Sequence, residues 1–141
     1  MCGIGGILTF SEKTSLDCLV EMSNGIKHRG PDDEGFYVLH DHGSMGSEYL
    51  GNDSNKGITN LKHIDFASDK YFKLGLVHRR FSILDISKLG HQPMVSDDDK
   101  IVLTFNGEIF NYIELKDQLI RLGYSFNSNS DTEVVLNSYK E

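Results

Sequence analysis

Apolar residues recur at helical spacing over 15–27, where Leu16, Leu19, Val20, Ser23 and Ile26 fall on one face behind a Thr14-x-x-Asp17 start signal. This predicts an amphipathic helix carrying Cys18. Before it, residues 5–10 read as a strand with a glycine-rich lead-in. After it, residues 28–33 (HRGPDD) read as a turn and 35–40 as a second strand. From 41 to 73 the chain is rich in Gly, Asn, Asp and Ser, with only scattered apolar residues such as Tyr49, Ile58, Ile64 and Phe66. It reads as a long excursion or flap. Periodicity of two returns at 74–84, with a bend expected at 78–80, and again at 101–105 before Asn106-Gly107. Asn111, with Glu114 three residues on, predicts a helix whose face is Leu115, Leu119 and Leu122 and whose stop is Gly123. Ser130-x-x-Glu133 starts a last helix bearing Val134, Val135, Leu136 and Tyr139. No stop signal precedes Glu141, so the sequence reads as cut. Short strands and helices in irregular order indicate an α+β fold with mainly antiparallel pairing.

The 141 residues suffice for one domain with a core. A net charge of −7 argues against nucleic acid, which is held through Lys and Arg contacts to phosphate. No apolar run approaches a membrane span and no export signal opens the chain. With Cys2 and Cys18 as its two cysteines, a reducing cytoplasm without a disulfide is expected. There are only four arginines, and Arg29, Arg79 and Arg80 lie in short Gly- or His-flanked segments. Arginine suits two-pronged recognition of a carboxylate.

The chemistry starts at Cys2. Removing Met1 would leave its thiol beside its own α-amine, whose ordinary pKa of about 7.7–8.0 suits a base near neutrality. Hydrolysing a side-chain amide of an amino acid also needs a cation for the carboxylate, an anion for the ammonium and donors for the oxyanion. Arg80 can supply the first, Glu108 and Asp131 the second, and Asn106 with the Gly107 backbone the third. Each has an ordinary alternative. Asn-Gly is a common hairpin-turn pair, Asp131 can cap a helix, and Arg80 can form a surface ion pair. His40-x-His42, joined by His63 or His78, raises the alternative of a metal site.

The segments MCGIGGI, HRGPDDEG at 28–35, HRRFSILDIS at 78–87, GHQPM at 90–94, FNGEIFNY at 105–112 and SDTEVVL at 130–136 together resemble the glutamine-hydrolysing asparagine synthetases. The likeness is to their N-terminal glutaminase domain, a class II glutamine amidotransferase of the N-terminal-nucleophile fold. The resemblance implies a four-layer αββα sandwich, two antiparallel sheets between helices, incomplete at the C-terminus within 1–141. It implies hydrolysis of L-glutamine to L-glutamate and ammonia, with no cofactor in this half. Ammonia would pass to a C-terminal synthetase domain using ATP and Mg2+ to convert aspartate to asparagine. Carried over, Cys2 is nucleophile and base, and Arg80 binds the carboxylate with Phe81, Ser82, Ile83 and Leu84 lining the same segment. Asn106 and Gly107 form the oxyanion hole, Glu108 and Asp131 hold the α-amino group, and Arg29 supports the pocket. Glutamine, that synthetase domain and a second copy in a homodimer are the expected partners. The long 41–73 segment also resembles amidotransferases of surface-polysaccharide or secondary-metabolite loci, whose acceptor differs. A non-catalytic glutamine-binding module is the third alternative.

Overall fold

A computed structural model describes residues 1–10, 13–40, 45–83 and 85–141. Its centre is a five-stranded sheet in the order β1-β7-β3-β4-β5, with β1 Gly3–Leu8, β3 Asp33–Leu39, β4 Ser47–Leu50, β5 Lys62–His63 and β7 Leu74–Arg80. All pairings in it are antiparallel except β4 with β5. Two small antiparallel pairs accompany it, β2 Thr14–Ser15 with β6 Tyr71–Phe72, and β8 Met94–Val95 with β9 Val102–Leu103.

Helix α1, Leu16–Gly25, packs on β7 and β1. Its cap is Ser15, whose Oγ accepts the Asp17 amide at 3.2 Å, one residue later than the start expected from the sequence. Glycine lets the helix sit close: a Cβ on Gly5 would lie 2.6 Å from Met22 Sδ, and one on Gly75 2.9 Å from Leu19. Leu16, Leu19, Phe36, Val38, Tyr49, Ile64, Phe72 and Val77 fill this side of the sheet. On the other side α3, Asp131–Lys140, packs on β8, with α2, Tyr112–Arg121, against α3. The result is α+β, as the sequence pattern indicated, and a sandwich, as the family resemblance implied. No helix among the described residues is long and apolar enough to cross a membrane.

Three local expectations need correction. Within the 41–73 segment, 41–44 lie outside the described residues and 45–73 is not a flap: it supplies β4, β5 and β6, and buries Tyr49, Ile64 and Phe72 in the core. Its polar composition reflects short strands and turns rather than looseness. β7 runs unbroken through 78–80, because β1 and β3 hydrogen-bond it on both edges. Asn111 precedes α2 without a side-chain capping bond, whereas Gly123 does end it, with φ at +100°.

Alternation along β7 sends neighbouring arginines to opposite faces. Arg79 goes toward α1 and is fully buried. Its guanidinium meets Glu34 Oε1 and Asp53 Oδ2, each at 2.7 Å, and donates to Ser23 Oγ at 2.7 Å and Asn24 Oδ1 at 3.2 Å. Arg80 goes toward β8–β9 and α3.

Candidate active site

β1 and β7 pair with Gly3 opposite Arg79. Continuing that register by one residue sets Cys2 across from Arg80, at the end of the central strand. Cys2 Sγ accepts the Phe81 amide at 3.4 Å and lies 3.7 Å from the Phe81 carbonyl. Arg29, in the turn after α1, donates from Nε to the Cys2 carbonyl at 3.2 Å. With Met1 attached, the Cys2 nitrogen would be a peptide nitrogen and not a free amine.

Cys2 opens into a pocket of about 360 Å³ lined also by Met1, Arg80, Phe81, Ile83, Asn106, Gly107, Glu108 and Asp131. Residues separated by more than a hundred positions thus share one cavity. Ser82 is not part of that lining; its amide donates to Asp32 Oδ2 at 2.8 Å. Leu84 lies outside the described residues.

Arg80 is buried and already engaged. Its Nη1 donates to the Ser87 carbonyl at 2.8 Å and its Nη2 to the Asp85 carbonyl, while the guanidinium packs on Gly90. These bonds orient its plane and engage both terminal nitrogens, while the side chain still lines the pocket. Asp131 is the first residue of α3 but not its cap; Ser130 Oγ accepts the Thr132 amide at 3.2 Å instead. One Asp131 oxygen, Oδ2, accepts the Ile109 amide at 3.0 Å, tying α3 to the segment that carries Asn106. Glu108 is exposed at the rim.

Asn106-Gly107 is not a hairpin turn. A two-residue turn of the Asn-Gly kind needs positive φ at both positions. Among the described residues positive φ occurs at Asp99 (57°) and Gly123. Asp99 belongs to the actual β8–β9 connection, where the Ser96 amide donates to the Ile101 carbonyl at 2.9 Å. Asn106 and Gly107 follow β9, exposed into the pocket.

Lining residues that the sequence did not mark as site candidates include Asp85, Gln92 and Thr132. Asp85 Oδ2 accepts the Asn129 amide at 3.0 Å and Oδ1 the Ser87 amide at 2.7 Å. Burial works to raise its pKa, but those bonds and the Arg80 charge prevail and hold it low. Gln92 lies inside the GHQPM motif, and only its partners, far off in sequence, reveal its place. Behind the wall, His78 donates from Nε2 to the Phe105 carbonyl at 3.2 Å, and its buried Nδ1 has no hydrogen-bond partner among the described residues. Burial pushes this imidazole down to about 4.

Among the described residues no cluster of three or more His, Cys, Asp or Glu side chains could hold a metal ion. His40 Nδ1 bonds the Tyr71 carbonyl at 2.7 Å, His63 accepts the Asp65 amide at 3.3 Å, and His42 lies outside the described residues.

The glutamine amidotransferase domain family model matches residues 1–51 and 63–141. The chain belongs to that family. Among curated relatives, a protein of Methanocaldococcus jannaschii provisionally named asparagine synthetase [glutamine-hydrolyzing] 2 is 34% identical, covering 100% of this chain and 24% of that protein. Asparagine synthetase [glutamine-hydrolyzing] 1 of Bacillus subtilis is 33% identical over 99% of this chain and 18% of its own length. Glutamine–fructose-6-phosphate aminotransferase [isomerizing] of Clostridium perfringens is 32% identical over 97% of this chain and 22% of its own. The amidotransferase domain described here therefore spans less than a quarter of the relatives it matches. The family match passes over 52–62, the stretch from which Asp53 reaches Arg79.

Proposed function

We propose that this domain hydrolyses L-glutamine to L-glutamate and ammonia with Cys2 as nucleophile. The observation that carries the reading is the single pocket holding Cys2, Arg80, Asn106, Gly107 and Asp131. Once Met1 is removed, the Cys2 amine takes the thiol proton and the sulfur attacks the γ-carbonyl carbon. The C–S bond forms as the carbonyl electrons move to oxygen, where the Asn106 side-chain N–H and the Gly107 backbone N–H receive the charge. Collapse expels ammonia, which carries the proton held by the amine, and leaves a γ-glutamyl thioester. Water, losing a proton to the same amine, attacks the thioester; the thiolate departs and is reprotonated. Arg80 holds the α-carboxylate, Phe81 and Ile83 wall the same side, and Asp131 with Glu108 holds the α-ammonium. Arg29 acts on the backbone of Cys2 rather than on substrate, and the Ser82 amide is taken up by Asp32.

The ammonia then serves an ATP- and Mg2+-dependent synthetase domain of the same polypeptide that converts aspartate to asparagine, in keeping with the names of two of the relatives. The aminotransferase name of another, matched over nearly this whole chain, favours a second reading in which the acceptor differs. The test is ammonia release from glutamine by the protein expressed from its complete reading frame. Cys2→Ala should abolish glutamine-dependent turnover and spare turnover with added ammonium. Substantial glutaminase activity in Cys2→Ala would sink the assignment. Supplying aspartate and other carboxylate or sugar-phosphate acceptors separates the two readings.

A further inference from the structure

Gln92 is buried beside the pocket, and its amide group reaches in two directions. Oε1 accepts the Phe105 amide at 2.7 Å, and Nε2 donates to Thr132 Oγ1 at 3.1 Å. Phe105 immediately precedes Asn106 and Gly107. Thr132 immediately follows Asp131. One side chain therefore spans the strand end that faces the developing oxyanion and the helix start that faces the α-ammonium. Its own main chain packs tightly, since a Cβ on Gly35 would strike the Gln92 carbonyl. The carbonyl of Phe105, in the next peptide unit, is held by His78.

We propose that Gln92 is a positioning residue that sets the length of the amide side chain the pocket accepts. This rests on the glutaminase reading above. Glutamine and asparagine differ by one methylene between the α-carbon and the amide, so a site that separates them must fix the span between its ammonium anchor and its oxyanion donors. One methylene is usually worth about 10- to 200-fold in discrimination. A misplacement of about 1 Å in such a frame costs about a hundredfold in rate. Gln92 is the spacer of that frame, tied to each side by one hydrogen bond, and the Asp131–Ile109 bond is its second tie.

The experiment compares kcat and KM for ammonia release from L-glutamine and from L-asparagine in wild type, Gln92→Leu, Thr132→Val and Thr132→Ser, with melting temperatures for all. Gln92→Leu keeps the bulk and loses both bonds. It should lower kcat for glutamine by roughly tenfold or more and shrink the glutamine-over-asparagine ratio by at least about tenfold, the scale of one methylene. Thr132→Val, losing only the helix-side bond, should shrink the ratio with kcat for glutamine within about threefold. Thr132→Ser, which keeps the hydroxyl, should restore wild-type discrimination. Should Gln92→Leu fail to fold, the Thr132 pair decides alone. An unchanged ratio in folded Thr132→Val, or in Gln92→Leu with only its melting temperature lowered, overturns the proposal and leaves Gln92 a packing residue. A wild-type protein that releases no ammonia from glutamine would instead bring down the glutaminase reading itself, and this inference with it.

Discussion

Arg29 Nε lies 3.2 Å from the carbonyl oxygen of Cys2, so an exposed side chain in the turn after α1 holds the backbone of the candidate nucleophile. The bond is to the peptide, not the sulfur, and its effect is on where Sγ sits. Arg29→Ala should lower kcat/KM for glutamine by roughly tenfold, about the weight of one charge-assisted hydrogen bond open to water. The melting temperature should hardly change. A steady-state assay beside a thermal melt checks both; loss of stability with normal kcat/KM would make Arg29 structural.

Met1 lines the pocket and blocks the Cys2 nitrogen as an amide. Protein whose intact mass includes Met1 should be inactive as a glutaminase, and cleavage of Met1 should restore turnover. Full activity in the unprocessed form would refute Cys2 as its own base.

Arg80→Lys keeps the charge but not the fork. A single ammonium is a poor replacement for a plane bound to both the Asp85 and Ser87 carbonyls. The expected loss in kcat/KM is about 2–3 kcal/mol, in the range of a hydrogen bond to a charged group. It should be carried mainly by KM, since the carboxylate is bound equally in ground and transition states. An assay within twofold of wild type would remove Arg80 from substrate binding.

Asn106 has ordinary φ and makes no hairpin, so its side chain is not needed to close a turn. Asn106→Ala should lower kcat by about 10²- to 10³-fold, the usual loss for one oxyanion donor, with little change in KM. Unaltered kcat would leave it without a catalytic part.

His78 gives a pH dependence. Its imidazole is neutral in the folded protein down to about 4, against an ordinary 6.5, because burial penalises the charged form. Between those values the unfolded chain binds the proton and the folded chain does not. Stability therefore falls as pH drops from 6.5 toward 4, by on the order of 3 kcal/mol, and is unaffected by this group above 6.5. His78→Gln retains a donor for the Phe105 carbonyl but cannot titrate. Its melting temperature should fall less than that of wild type across that range; parallel curves would rule out this contribution.

Much of the candidate site was legible because its residues lie in short local signals. The Ser130 start, the Gly123 stop and the position of Cys2 each depend on a few neighbours, and the motifs kept them in order. What depends on distant pairing was not legible. Arg79 and Arg80 are adjacent and chemically alike; strand alternation predicts opposite faces but not which face holds the pocket. That is decided by Glu34 and Asp53, which neutralise Arg79. Tyr49, Ile64 and Phe72 lie among polar residues, and only the sheet and α1 show that they belong to one core. Gln92 stands in the GHQPM motif with no local signal of its role, and its two partners are 13 and 40 residues away.

The packing of Gly90 on the Arg80 guanidinium makes the arginine adjustable from outside the pocket. A flexible side chain would simply swing clear of an added methyl group. This one is pinned by two main-chain oxygens, so a methyl at position 90 would act as a wedge, and the guanidinium would have to give up the Asp85 or Ser87 carbonyl to make room. The cavity wall and its charge would then move together, with no atom of the substrate's own contacts replaced. A single hydrogen atom at Gly90 is thus the tolerance to which the carboxylate end of the pocket is built.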